Sequence, residues 1–198
     1  MNKKVLFSSA IILIICLFSC NLVYSDNIDS TSNKNGISIN YWKGFIDGTS
    51  GFNVGFERSF LKTQKYDIIG NISIISGTKK ESYFMSGIIL GNTIRRTYKF
   101  GLFFDHSFRL GYLGSYYFDD IYRIKNNEIV NVHQEWLSSA TFGYAFGLGY
   151  DFSKISKLDI QLFARPSIFL RYPNFDNLFI MNNINFELGL CFRPDFLN

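Results

Sequence analysis

His106 and His133 are the chain's two histidines and its natural acid–base candidates, because unperturbed imidazole titrates near neutrality. His106 lies in a stretch where large apolar residues alternate with small or polar ones, and it falls on the apolar side. Ser107 is its immediate neighbour, so in a strand it projects to the opposite face and cannot serve as its nucleophile. His133 has Glu135 close by in a polar, aromatic-rich stretch, which an ordinary solvated loop explains. No His/Cys spacing suits a metal and no nucleophile motif is present, so neither a catalytic residue, a metal nor a cofactor is predicted. Charge is the remaining candidate. Glu57, Asp67, Asp105, Arg109, Asp159, Arg165, Arg171, Glu187 and Arg193 all fall on the polar side of alternating segments. Of these, Glu57, Asp105, Arg109, Arg165 and Glu187 sit near the middle of their segments. They form a predicted structural network of mutual salt bridges, since an unpaired buried charge is costly. A gated pore or proton path is the alternative use of the same residues.

The elements that must position these charges are strands. Phe142, Tyr144, Phe146, Leu148, Tyr150 and Phe152 alternate with Gly143, Ala145, Gly147, Gly149 and Asp151. Successive strand side chains point to opposite faces, so this run has one bulky apolar face and one face without bulk. Similar patterns predict strands at about 36–46, 51–61, 66–76, 82–94, 100–112, 142–152, 158–171 and 184–193. The fourth alternates poorly. Pro166 interrupts the seventh and predicts a bulge or a local gap in pairing. Connections 62–65, 95–99 and 153–157 are short and basic, whereas 115–135 and 172–183 are long. Short turns on one side and long loops on the other, with strands of about ten residues, fit an all-β, eight-stranded, antiparallel up-and-down transmembrane barrel. The apolar face would then meet lipid.

Residues 1–25 have a basic start at Lys3 and Lys4, an apolar run from Val5 to Phe18, and candidate cleavage sites, as an export signal does. Cleavage after Ser25 is expected; the alternative is a lipobox ending at Cys20, which would be acylated. Residues 26–35 are polar and read as a flexible lead-in, with the barrel domain at 36–198. Cleavage after Ser25 leaves Cys191 alone, so no intrachain disulfide is expected. Removing Lys3 and Lys4 from 20 basic residues leaves 18 against 16 acidic, which is no nucleic-acid footprint. Aromatics make up 18% of the chain and suit the girdles of a membrane barrel.

Three stretches carry a family resemblance: Ile94-Arg95-Arg96-Thr97-Tyr98-Lys99-Phe100-Gly101, Gly147-Leu148-Gly149-Tyr150-Asp151-Phe152, and Phe186-Glu187-Leu188-Gly189-Leu190. Through them the chain resembles the small outer-membrane β-barrel proteins of Gram-negative bacteria, a group broadly similar to OmpA and OmpX. The resemblance covers roughly 36–193 as architecture and brings no catalytic signature. It implies the bacterial outer membrane, membrane lipid and the barrel-assembly machinery as surroundings, and a monomer. Such barrels usually end on an aromatic residue; here Phe192 and Phe196 precede a terminal Asn198. Barrels that modify lipid A include a type with His and Ser two residues apart facing outward, but residue 108 is Phe. The expected role is therefore non-enzymatic, envelope-structural or surface-interacting. Tyr116, Tyr117, Asp119, Asp120 and Tyr122 of the long 115–135 loop are the candidate contacts for an extracellular partner. The alternatives are a lipid A-modifying enzyme on this scaffold and a lipid-tethered, lipocalin-like ligand carrier.

Overall fold

The computed structural model describes residues 34–45, 48–63, 65–118, 121–125, 128–132, 136–156, 158–172 and 184–194. The expected signal, residues 26–33 of the expected lead-in, Asp119, Asp120, His133, Glu135, Phe196 and Asn198 lie outside them, while Asn35, expected in the lead-in, already belongs to the first strand. Ten strands are formed among the described residues. They are β1 (Asn35–Gly44), β2 (Ser50–Lys62), β3 (Asp67–Lys79), β4 (Tyr83–Thr97), β5 (Leu102–Tyr117), β6 (Ile121–Lys125), β7 (Glu128–Val132), β8 (Trp136–Asp151), β9 (Ile160–Tyr172) and β10 (Ile184–Phe192). Eight close into an antiparallel barrel in the order β1-β10-β9-β8-β5-β4-β3-β2, while β6 and β7 pair only with each other. The pairing of Ile39 with Leu190 and Tyr41 with Leu188 joins the first barrel strand to the last. No edge is left, as a lipid-embedded sheet requires.

Burial alternates along the wall. In β2, Phe52, Val54, Phe56 and Phe60 are exposed while Asn53, Glu57 and Ser59 are buried. The same inversion holds in β8 and β10, where Phe146, Leu148, Leu188 and Leu190 face out and Ala145, Glu187 and Cys191 face in. Large apolar side chains outside and charges inside are the reverse of a water-soluble domain. This barrel is built to stand in lipid.

Several strand boundaries differ from those expected, most of all that of β8, which begins at Trp136 rather than at 142. β4 and β5 both run further, because each continues to pair with the other from Tyr83–Tyr117 to Thr97–Phe103. The turn expected at 95–99 therefore contracts to Tyr98–Gly101, where Gly101 takes a φ of +101° and its N–H donates to the Tyr98 carbonyl at 2.9 Å. The expected loop 115–135 begins only after Tyr117 and contains the β6–β7 hairpin. At Pro166 the register is kept against β10, but the β8 pairing skips from Ala145–Ser167 to Leu148–Ala164. Proline offers no N–H to that ladder, and the gap lies beside it.

Candidate functional site

The bore divides into two layers. Towards the loop end it is apolar: Trp42, Ile75, Tyr83, Met85, Ile89, Leu113 and Phe169 form one buried cluster. These residues explain why β4 alternates poorly in sequence, since Met85 and Ile89 point inward while Ile88 and Leu90 point outward. Towards the turn end the bore is ionic. Arg95 grips Asp105 with two hydrogen bonds, Nε to Oδ1 at 2.7 Å and Nη2 to Oδ2 at 3.0 Å. Arg165 Nη2 donates to the same Oδ2 at 2.6 Å, so one carboxylate holds two guanidiniums. Arg95 Nη1 also donates to Gln161, whose Nε2 donates to Asp151 at 3.1 Å. Arg109 and Glu187 form a second bidentate pair at 2.5 and 2.9 Å, with Ser167 Oγ donating to Glu187 at 3.0 Å. Aromatic rings cap the cations. Phe103 lies 4.2 Å from Arg95 and Phe163 3.8 Å from Arg165, measured from guanidinium carbon to ring centroid.

Glu57 stands apart from these pairs. Arg193 Nη2 is 3.7 Å from its Oε2, and the Cys191 thiol is 3.6 Å from the same oxygen. Arg193 Nη1 reaches 4.0 Å from Asp67, while its Nε and Nη2 have no hydrogen-bond partner among the described residues. Arg193 also lines a recess of about 220 Å³ at the turn-end mouth, together with Lys62, Lys65, Lys99 and Lys154.

The structure places all five residues of the expected network inside, and each is buried. It joins Arg109 to Glu187 and Arg165 to Asp105, but brings Glu57 to Arg193 rather than to the other four. Asp159 is not in the bore. It sits at the rim, where the Lys34 ammonium donates to it at 2.7 Å. Arg95 is the residue that sequence reasoning missed, because its position was assigned to a basic turn. Pairing of Arg95 opposite Asp105 of β5 and opposite Asp67 of β3 extends the strand far enough to turn it inward. The available signal was the inward phase of β4, which continues from Thr93 to Arg95.

Outside, His106 is exposed on the apolar face, and its Nδ1 shares a 2.6 Å hydrogen bond with the Tyr144 hydroxyl. Ser107 is fully buried on the other face and bonds Thr93, so the two do not meet. Among the described residues no group of three His, Cys, Asp or Glu could hold a metal. Tyr116 and Tyr117 belong to β5 rather than to the loop. Tyr117 packs on Tyr83 with centroids 5.2 Å apart, against the apolar cluster, while Tyr116 meets Phe118 edge-on at 6.0 Å. Tyr122 lies in β6 of the hairpin.

No family model matches the chain, and no curated protein matches it. Among solved structures it is similar to Ail, the attachment invasion locus protein of Yersinia pestis, at 14% identity with a TM-score of 0.49. That match covers 83% of this chain and 100% of that one. Neisserial surface protein A is similar at 10% identity and a TM-score of 0.45, over 81% of this chain and 95% of that one. The N-terminal β-barrel domain of Pseudomonas aeruginosa OprF is similar at 14% identity and a TM-score of 0.36, over 81% and 98%. Closed up-and-down topology, eight barrel strands and an apolar exterior around a charged interior make the architecture that of a small outer-membrane barrel.

Proposed function

We propose that this chain is a non-enzymatic protein of the bacterial outer membrane whose barrel is a closed anchor and whose loop end, the β6–β7 hairpin above all, meets partners outside the cell. One observation carries the reading: the bore is occupied by Arg95, Asp105, Arg165, Arg109 and Glu187 at one level and by the Trp42–Phe169 cluster at another. Ion pairs at 2.5 to 3.0 Å and the apolar cluster above them occupy the bore at two levels, which is not the open ring of charge that a selective pore needs. A lipocalin-like carrier would need its apolar face turned inward around a cavity. The exposed Phe52, Ile74, Leu110 and Leu190 weigh against that reading. The lipid A-modifying alternative lacks an outward serine two residues from His106, whose partner is the Tyr144 phenol. On this reading the short turns face the periplasm, and the β6–β7 hairpin lies on the outer side.

Planar-bilayer recording of the purified full chain tests the anchor. Little steady conductance is expected. Large, stable, ion-selective openings would instead make Arg109 and Arg165 pore-lining residues. Mass spectrometry of lipid A from expressing cells should show no new species; a modified one would restore the enzyme reading.

A further inference from the structure

Arg96 follows the buried Arg95 and therefore points out of the barrel, on the face that meets lipid. It lies one residue before the end of β4, the depth at which a barrel strand leaves the hydrocarbon for the headgroups. Among the described residues no carboxylate pairs with it. Its guanidinium is instead held between two phenol rings, 5.9 Å from the Tyr66 centroid and 5.2 Å from that of Tyr98. The edges of the guanidinium fork, which suit the oxygens of a phosphate, are left for a ligand.

Below Arg96, towards the barrel middle, the wall is recessed by about 370 Å³. Strand register sets its layout. Arg96 stands opposite Phe104, and one row deeper Ile94, His106 and Phe146 lie side by side across β4, β5 and β8. The rows are about 7 Å apart, two residues of strand rise. Cation at the boundary, apolar walls beneath it, and a polar group between them repeat the order of parts in a glycerophospholipid. That polar group is His106. Its Nδ1 is engaged by Tyr144 and its ring packs edge-on against Phe146 at 5.2 Å, while its Nε2 carries no hydrogen bond among the described residues.

We infer that this groove is a specific phospholipid site in the leaflet on the turn side of the barrel. The phosphate sits on Arg96 between Tyr66 and Tyr98, an ester oxygen lies near His106, and an acyl chain lies along Ile94, Phe104 and Phe146. The headgroup is anionic, as in phosphatidylglycerol, because among the described residues no carboxylate lines the groove to hold the ammonium of an ethanolamine. The site rests on the lipid-facing reading of the exterior and adds to it a single preferred position.

Native mass spectrometry of the full chain in nonionic detergent, offered equal phosphatidylglycerol and phosphatidylethanolamine, is the test. One phosphatidylglycerol should be retained in preference. Arg96→Gln should lower its retention about tenfold, the loss of one charge-assisted interaction. Arg58→Gln, another outward arginine of the turn-side half, should leave retention unchanged. Phe146→Ala should weaken it through the acyl chain, and millimolar inorganic phosphate should not displace the lipid. Equal retention of both lipids, equal losses in the Arg96 and Arg58 variants, or displacement by phosphate would each overturn the site. Heat-modifiable gel mobility reports folding; should Arg96→Gln not fold, Arg96→Lys should fold and retain less lipid than the parent, and undiminished retention would overturn the site. A chain that stayed in solution without detergent would sink the lipid-facing reading itself, a separate outcome.

Discussion

Asp105 and Asp159 each accept a charged donor at 2.7 Å, and burial makes the two contacts unequal. Both partners in the Arg95–Asp105 pair are at most 1% exposed, whereas Lys34 and Asp159 are 35% and 19% exposed. Water and salt screen the rim pair, so Asp159→Asn should cost about 0–1 kcal/mol. Asp105→Asn leaves Arg95 and Arg165 without their shared counter-charge where both are buried. A loss of about 3–5 kcal/mol is expected, tempered by what Gln161 and the Phe103 and Phe163 faces still offer. Urea titration of the refolded barrel in micelles checks the contrast; equal losses would mean that the bore is wet. Gly147 contributes by what it lacks. A Cβ there would stand 2.8 Å from Arg165 Cγ and 3.0 Å from Asp105 Cβ, so the absence of a side chain makes room for the ion pair.

At the scale of the strand, the decisive property is which face meets which solvent. Ile72, Leu90, Leu110, Phe142 and Leu170 lie in one continuous row across β3, β4, β5, β8 and β9. The row passes near the centre of the wall. Leu110→Arg should cost about 2–4 kcal/mol of folding stability in bilayers, the depth-dependent cost of a charge at mid-membrane. The same substitution at Phe100, in the turn between β4 and β5, should cost about 0–1 kcal/mol. Refolding into vesicles, followed by gel mobility, measures both. A soluble, well-folded Leu110→Arg protein would reverse the orientation of the wall. The β6–β7 hairpin obeys different rules, because two strands with no other sheet partner have little independent stability.

For the whole molecule, closure is the organising event. Pairing of β1 with β10 joins Ile37 to Phe192 and removes the last open edge. Amide hydrogen exchange should therefore show β1 and β10 as protected as β5 and β8, with β6 and β7 exchanging far sooner. Fast exchange confined to β1 and β10 would mean that the barrel opens at its seam. Much of this architecture is legible in the chain, because side-chain direction in a strand has a period of two and is a local property. Alternation alone assigns Phe146 and Leu188 to one face and Asp105 and Glu187 to the other. Pro166 likewise marks its own interruption of the ladder. Partner choice is not local. Arg109 meets Glu187 across 78 residues and Arg165 meets Asp105 across 60, so register and closure decide who pairs with whom. Arg95 reads as part of a turn until β5 pairs alongside and draws it into the bore. Met85 and Ile89 blur the pattern of β4 because the loop-end half of the bore is filled with apolar side chains. The residues alone separated the two faces of every barrel strand but β4; only the closed barrel decided which charges meet across its interior, because those contacts depend on the register of all eight strands.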